Sequence, residues 1–371
     1  MASRIASLVL LVVLGGCLDP YSPTIKPADV NILVVDGLLD TRDGTATVRL
    51  SRGISLAVAN YFPRVRHAFV TVEDARGNIY PLAEIDSGNY QVDNIQIYPD
   101  ATYRLHVVTS DDDEYYSDFV SSGDTPEIDS LTWITDEQQL TIRVNTHDPS
   151  NQTKYYRWTY EEAWNYHASL LSMYINLGRG NLRLREPNEM IYYCWRTAPS
   201  SSIITGSTAR LSQSIISQVP IQYIPVGSKR LQIRYSILVK QRAINENEYN
   251  YLEQLKKTTE SIGGLFDPQP FAVTGNVTPQ SPASPTAVGY FAAGRTTQMR
   301  IYIDAFTLPR PFREIYPALG CVPPDTAYHL ADINPGQIIG VSTPKGYTIT
   351  SERCADCRDE GGVTTPPSFW H

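Results

Sequence analysis

Five cysteines and six histidines hold most of the chemistry this 371-residue chain could perform. Cys17 closes the run Leu14-Gly15-Gly16-Cys17, after an apolar stretch from Ile5 to Leu14 that itself follows Arg4. That stretch is too short to cross a bilayer as a helix, but it has the length of a signal-peptide core. Small residues ahead of a cysteine let a peptidase approach, and the sulfur can then carry a diacylglycerol. The run has the form of a bacterial lipobox, so Cys17 reads as the lipidated first residue of an exported protein; an ordinary secretory signal with an incidental Cys is the alternative. Four thiols remain, Cys194, Cys321, Cys354 and Cys357. In an exported chain an even number reads as two disulfides, with three pairings open. Cys354-Ala-Asp-Cys357 also has the spacing of half a zinc site, but a second such pair or a nearby His pair is missing. No βαβ pattern surrounds it, as a redox pair would require. No metal or other cofactor is expected.

The histidines stand at 67, 106, 147, 167, 329 and 371, none four apart from another. H-E-x-x-H, G-x-S-x-G, G-x-G-x-x-G and the P-loop pattern are all missing. Paired carboxylates for glycoside cleavage are placed by the fold and not by spacing, and no pair stands out. The chain therefore reads as non-catalytic, an unrecognised hydrolase being one alternative. Asp111-Asp-Asp-Glu114 has the carboxylate density of a calcium site but lacks the spaced loop, and reads as a solvated hairpin tip.

Aromatic residues are the other source of function. Tyr155, Tyr156, Trp158, Tyr160, Trp164 and Tyr166 fall within twelve positions. Residues 156, 158 and 160 share one face of a strand and suit a core. Trp164, Tyr166 and Tyr174, past Glu161, read instead as interface residues, since Tyr and Trp combine rigid area with a polar tip. A surface glycan-binding module is the corresponding alternative function, with a glycan or peptide as ligand. Asp325-Thr326-Ala327 and Asp129-Ser130-Leu131 resemble the acidic-hydroxyl-apolar sequon of periplasmic O-glycosylation, with Thr326 the better site because nearby prolines suggest a loop.

The elements that must position these residues are mostly strands. Twenty-four tyrosines, and 26 prolines against 23 glycines, suit strands and rigid loops. A net charge of −8 argues against a nucleic-acid partner. Strand-like runs occur at 32–38, 45–51, 68–73, 78–82, 90–92, 102–109 and 115–120, separated by turn signals such as Arg42-Asp-Gly44 and Asp86-Ser-Gly88. Further runs lie at 128–134, 140–144, 155–160, 231–243, 288–292 and 299–303. One helix is expected at about 245–262, capped by Asn245, with Glu248 closing a capping box and Gly263-Gly264 ending it. The expected organisation is a signal peptide over 1–16, a Pro-rich tether over 17–30 and an N-terminal β-sandwich over 31–124, immunoglobulin-like or transthyretin-like. A second, fibronectin-like β domain follows over 125–371. It carries an insertion from Glu161 to Pro187, the helix, and an irregular C-terminal tail stapled by disulfides. The fold class is mainly β.

Several stretches closely resemble the domain-of-unknown-function 4249 family of Bacteroidota lipoproteins. They are Cys17-Leu-Asp-Pro20-Tyr21-Ser-Pro23, Leu33-Val-Val-Asp-Gly37-Leu38, Val48-Arg-Leu50-Ser51, Cys194-Trp195 and Ile233-Arg-Tyr235 through Gln241. Beyond the helix come Leu265-Phe266-Asp267-Pro268-Gln269-Pro270, Thr274-Gly275-Asn276, Cys354-Ala-Asp356-Cys357-Arg358, Gly361-Gly362 and Pro367-Ser-Phe369-Trp370. The resemblance covers essentially the whole mature chain. The family pattern often carries a further Cys after Gly275-Asn276; here Val277-Thr278-Pro279 has none, so no pairing is transferred. The resemblance implies an outer-membrane lipoprotein, often encoded beside a TonB-dependent receptor, with an accessory role in substrate capture or complex assembly. It implies no reaction, and it leaves open whether the anchor sits on the periplasmic or the cell-surface face.

Overall fold

A computed structural model describes residues 31–53, 63–98, 100–178, 181–260, 273–314, 321, 324–334 and 337–370. Cys17, the tether and Gly263-Gly264 lie outside the described residues. The N-terminal runs form strands wherever apolar and polar residues alternate. In Thr102–Val108, Tyr103, Leu105 and Val107 are fully buried while their neighbours face outward. One hydrogen-bonded path runs from Val277–Pro279 through Glu114–Ser117, Thr102–Val108, Phe69–Asp74, Ile79–Asp86, Asn89–Val92, Thr45–Arg52 and Leu33–Asp40 to Ala287–Gly294. Strand Ile79–Asp86 carries the path round the sandwich: its first half pairs with Phe69–Asp74 and its second with Asn89–Val92. Leu33, Val35, Leu50, Val72, Tyr103 and Phe291 fill the space between the layers.

The boundary expected at 124 is too early for this sandwich. Ala287–Gly294 lies parallel to Leu33–Asp40, and Val277–Pro279 pairs with Glu114–Ser117, so the chain returns to complete the sheets more than 150 residues later. Two glycines make the return possible. A Cβ on Gly289, whose φ is +121°, would stand 1.8 Å from the Val35 carbonyl oxygen, and one on Gly275 would stand 1.4 Å from the Gly289 carbonyl oxygen. With the backbones this close, the Asn276 side chain acts as a strand neighbour. It accepts from the Phe291 amide at 2.9 Å and donates to the Phe291 carbonyl at 2.8 Å.

The second sandwich packs a sheet of Ile215–Pro225, Gln139–His147 and Ile128–Thr135 against one of Tyr193–Pro199, Tyr155–His167, Arg234–Ile244 and Thr296–Asp304. Its central strand does not stop near 160. Tyr155–His167 is thirteen residues long, and positions 156, 158, 160, 162, 164 and 166 all point inward. Glu162 interrupts the apolar alternation and hides the continuation, yet it is buried. It accepts hydrogen bonds from Tyr235 Oη at 2.6 Å, Gln222 Nε2 at 3.0 Å and Arg230 Nη1 at 3.2 Å. A buried carboxylate supplied with three donors is tolerated where a bare one is not.

The region expected to be irregular contains a third, small sheet. Leu182–Leu184, Tyr174–Asn176, Ile338–Thr343, Gly346–Thr350 and Asp325–Ala327 pair in that order over a core of Ala327, Ile339 and Ile349. The strands are too short for their alternation to register in sequence. The cysteines pair as Cys194–Cys357 and Cys321–Cys354. Beyond them the backbones of Trp195 and Val363 bond to each other, and Tyr302 Oη donates to the Phe369 carbonyl at 2.6 Å. The Arg300 guanidinium lies 3.8 Å above the Phe369 ring. The C-terminal motif is thus a strap across the outer sheet.

The helix spans Glu246–Glu260. Asn245 caps it as expected, accepting from the Glu248 amide at 2.8 Å. Glu248 does not close a capping box; it turns inward to Arg242, which donates to both carboxylate oxygens.

Candidate functional site

The two sandwiches meet along the segment 121–126, and this junction is held by a polar side chain inside the core. Gln241 is fully buried. It accepts from Trp158 Nε1 at 2.8 Å and donates to the Pro126 carbonyl at 2.8 Å and to Thr146 Oγ1 at 3.1 Å. Thr125 Oγ1 accepts from the Ala243 amide at 2.9 Å, and Thr297 Oγ1 donates to the Pro126 carbonyl at 3.0 Å. Side chains thereby replace the sheet bonds that a strand would have supplied.

Beside this seam opens a cleft of about 930 Å³, walled by segment 120–129, the turn 147–155, the start of the helix and strand residues 290–295. A volume of this size is that of a ligand pocket, typically ~300–1,000 Å³. Several of its polar groups are engaged with one another. Arg295 bridges Glu127 at 2.6 Å and Asp124 at 3.3 Å, His147 Nδ1 lies 2.8 Å from Asp129, and Arg242 is held by Glu248. Burial, and then the charge of Glu248, pushes the Tyr290 phenol up to about 12, which keeps it a neutral donor.

Asp148 organises the turn. Its oxygens accept from the amides of Ser150, Gln152 and Thr153 at 2.7–2.9 Å and from the Ser150 hydroxyl at 2.7 Å. Burial alone would raise its pKa, but these donors outweigh it and hold the carboxyl well below its ordinary value. A depressed folded-state pKa gives stability that is present above the unfolded value of ~3.9 and lost as pH falls below it. Asp148→Asn is expected to cost about 1–2 kcal/mol at pH 7. In urea titrations at pH 7 and pH 3, its gap from the unsubstituted chain should narrow at the lower pH; an unchanged gap would show that the ionised form is not what the turn requires.

The residues expected at the site fall elsewhere. Trp164 and Tyr166 are core residues, 7% and 1% exposed, so they are not interface aromatics. Their inward direction follows from the uninterrupted strand. Tyr166 Oη donates to the Cys357 carbonyl at 2.7 Å, and Arg196 and Arg230 both lie over the Trp164 ring. Tyr174 is half-buried, edge-on to Tyr347. Thr326 is exposed but lies on the short strand Asp325–Ala327 at the edge of the third sheet, not in a loop. Ser130 accepts from Asn145 Nδ2 at 3.1 Å, and Asp111–Asp113 form the expected hairpin tip. None of these residues joins the cleft. The cleft residues come from four separate stretches; Asp129, His147, Tyr155, Asn245 and Glu248 stand out in the sequence for other reasons, and nothing in their spacing brings them to one wall.

The profile of the domain of unknown function DUF4249 matches residues 18–300, most of the chain. The chain belongs to this family. The family covers both sandwiches and the returning strands, so the seam and its cleft lie within it. No curated protein matches the sequence. Among solved structures, the two-fibronectin-type-III-domain segment of chicken tenascin is similar at 15% identity, covering 58% of this chain and 90% of that one with a TM-score of 0.15. At that score the fold rests on the sheets described above.

Proposed function

We propose that this DUF4249 protein is a Bacteroidota lipoprotein, anchored to the outer membrane through Cys17. In this reading it serves, without catalysis, as the partner of a TonB-dependent receptor in substrate capture or complex assembly. The observation that carries the reading is the junction cleft, large enough to hold a ligand and walled in part by ion pairs of Arg295 with Glu127 and Asp124 and of Arg242 with Glu248. The lipobox supports the anchor, and acyl chains hold a protein at a bilayer without a spanning helix. With Trp164 in the core, a glycan platform loses its stacking residue. Thr326 remains a proposed O-glycosylation site, exposed on its edge strand.

Cys17→Ala is expected to move the protein from the membrane fraction to the soluble one in its native host. Mild-detergent extraction followed by affinity capture of the unsubstituted protein should recover a large β-barrel receptor. Recovery of the lipoprotein alone, under conditions that keep other receptor complexes together, would overturn the partnership while leaving the anchor to be decided by the fractionation.

A further inference from the structure

A second, smaller pocket of about 280 Å³ shares Arg242 as a lining residue with the junction cleft. One wall is the hairpin that begins with Leu33–Asp40; the other is the outer face of strands Tyr155–His167 and Arg234–Ile244. Most of its charges are matched. Lys240 pairs with Glu161 at 2.5 Å, Arg42 lies 3.9 Å from Asp43, and Asp40 accepts from the amides of Arg42 and Thr296. Two opposite charges are left facing each other.

Among the described residues, Arg157 has one ion-pair partner, Glu248 at 3.7 Å, and that carboxylate already takes both nitrogens of Arg242. One anion therefore serves two guanidiniums. Burial, and then the neighbouring Arg242, lowers the Arg157 pKa, as expected of a cation short of counter-charge. Across the pocket, Asp36 is exposed and its carboxylate makes no ion pair or hydrogen bond among the described residues. Its charge acts on Arg157, but among the described residues no ion pair joins the two.

We propose that this pocket binds a small zwitterion of the α-amino-acid type, as a free amino acid or a short peptide. Its ammonium would lie against Asp36 and its carboxylate on Arg157. The guanidinium fork suits a carboxylate, and charge-assisted bonds at both ends set a minimum length and a direction. The site goes beyond the receptor reading, because it needs no receptor to be observed.

The test is titration of the full chain in detergent with glycine, diglycine, triglycine and N-acetyl-diglycine amide, which lacks both charges, followed by calorimetry or ligand-observed NMR. At least one charged probe should bind and the capped one should not. Tighter binding of glycine would identify free amino acids as the ligand class; tighter binding of diglycine or triglycine would identify peptides. Asp36→Asn should weaken binding by ~10-fold, the equivalent of one lost charged contact, and Arg157→Gln by at least as much. Glu137→Gln, at an exposed position outside the pocket, should leave it unchanged. Asp36→Asn alters an exposed side chain without a bond, so its melting temperature should match that of the unsubstituted chain. No binding of any charged probe, equal binding of the capped probe, or full binding by Asp36→Asn would each overturn the proposal.

Discussion

Replacing Gln241 by Leu is expected to lower the free energy of unfolding by about 3–5 kcal/mol, near the top of the range for a single substitution. Leu nearly matches the volume, so packing changes little and the loss is polar. Trp158 Nε1 would lose its acceptor, and the Pro126 carbonyl one of its two donors. Thr146 Oγ1 would keep its bond to the Glu127 carbonyl at 2.7 Å but lose the Gln241 donor. Each orphaned buried group costs ~1–3 kcal/mol because water cannot reach it. The damage should reach the seam as well as the second sandwich, since Pro126 lies where the chain passes between them. Urea unfolding followed by tryptophan fluorescence measures the loss. Thr125→Ala, which removes one acceptor from a single amide, sets the scale at ~1 kcal/mol. A Gln241→Leu effect no larger than that of Thr125→Ala would mean that the seam is held by something other than this network.

What was readable in the sequence, and what was not, follows the range of the interactions. Strands such as Thr102–Val108 are set by neighbours two residues apart, and their alternation shows them directly. The Asn245 cap is equally local. The continuation of Tyr155–His167 was hidden by one residue, Glu162, whose partners Gln222, Arg230 and Tyr235 lie 60 to 73 positions away. The expectation that Trp164 and Tyr166 are interface residues follows directly from that break. The return of Ala287–Gly294 to the first sandwich depends on Gly275 and Gly289 passing close to other backbones, and a glycine in sequence does not say what it must pass. The junction cleft is the extreme case, because its walls come from residues near 125, 150, 245 and 292. Cysteine number implied two bridges; only the fold could choose among the three pairings.

Those bridges should not be equal in effect. Replacing Cys194 and Cys357 together by Ala is expected to cost about 5 kcal/mol, and replacing Cys321 and Cys354 about 4 kcal/mol, on the chain-entropy account of loop closure. The difference arises because the first bridge spans 163 positions and the second 33, and the longer loop restricts the unfolded chain more. Burial cannot account for the order, since all four cysteines are at most 5% exposed. The first bridge also has neighbours that depend on it. Tyr166 Oη donates to the Cys357 carbonyl, the Cys357 amide bonds to Ile191, and the strap from 357 to 363 lies along strand Tyr193–Pro199. Its loss should therefore release the strap locally, which amide hydrogen exchange at Trp195 and Val363 would register, whereas loss of Cys321–Cys354 should leave those amides protected. Urea unfolding of the two double variants gives the order. A larger cost for the shorter loop would show that native packing around Cys321, and not loop length, controls the stability of this region.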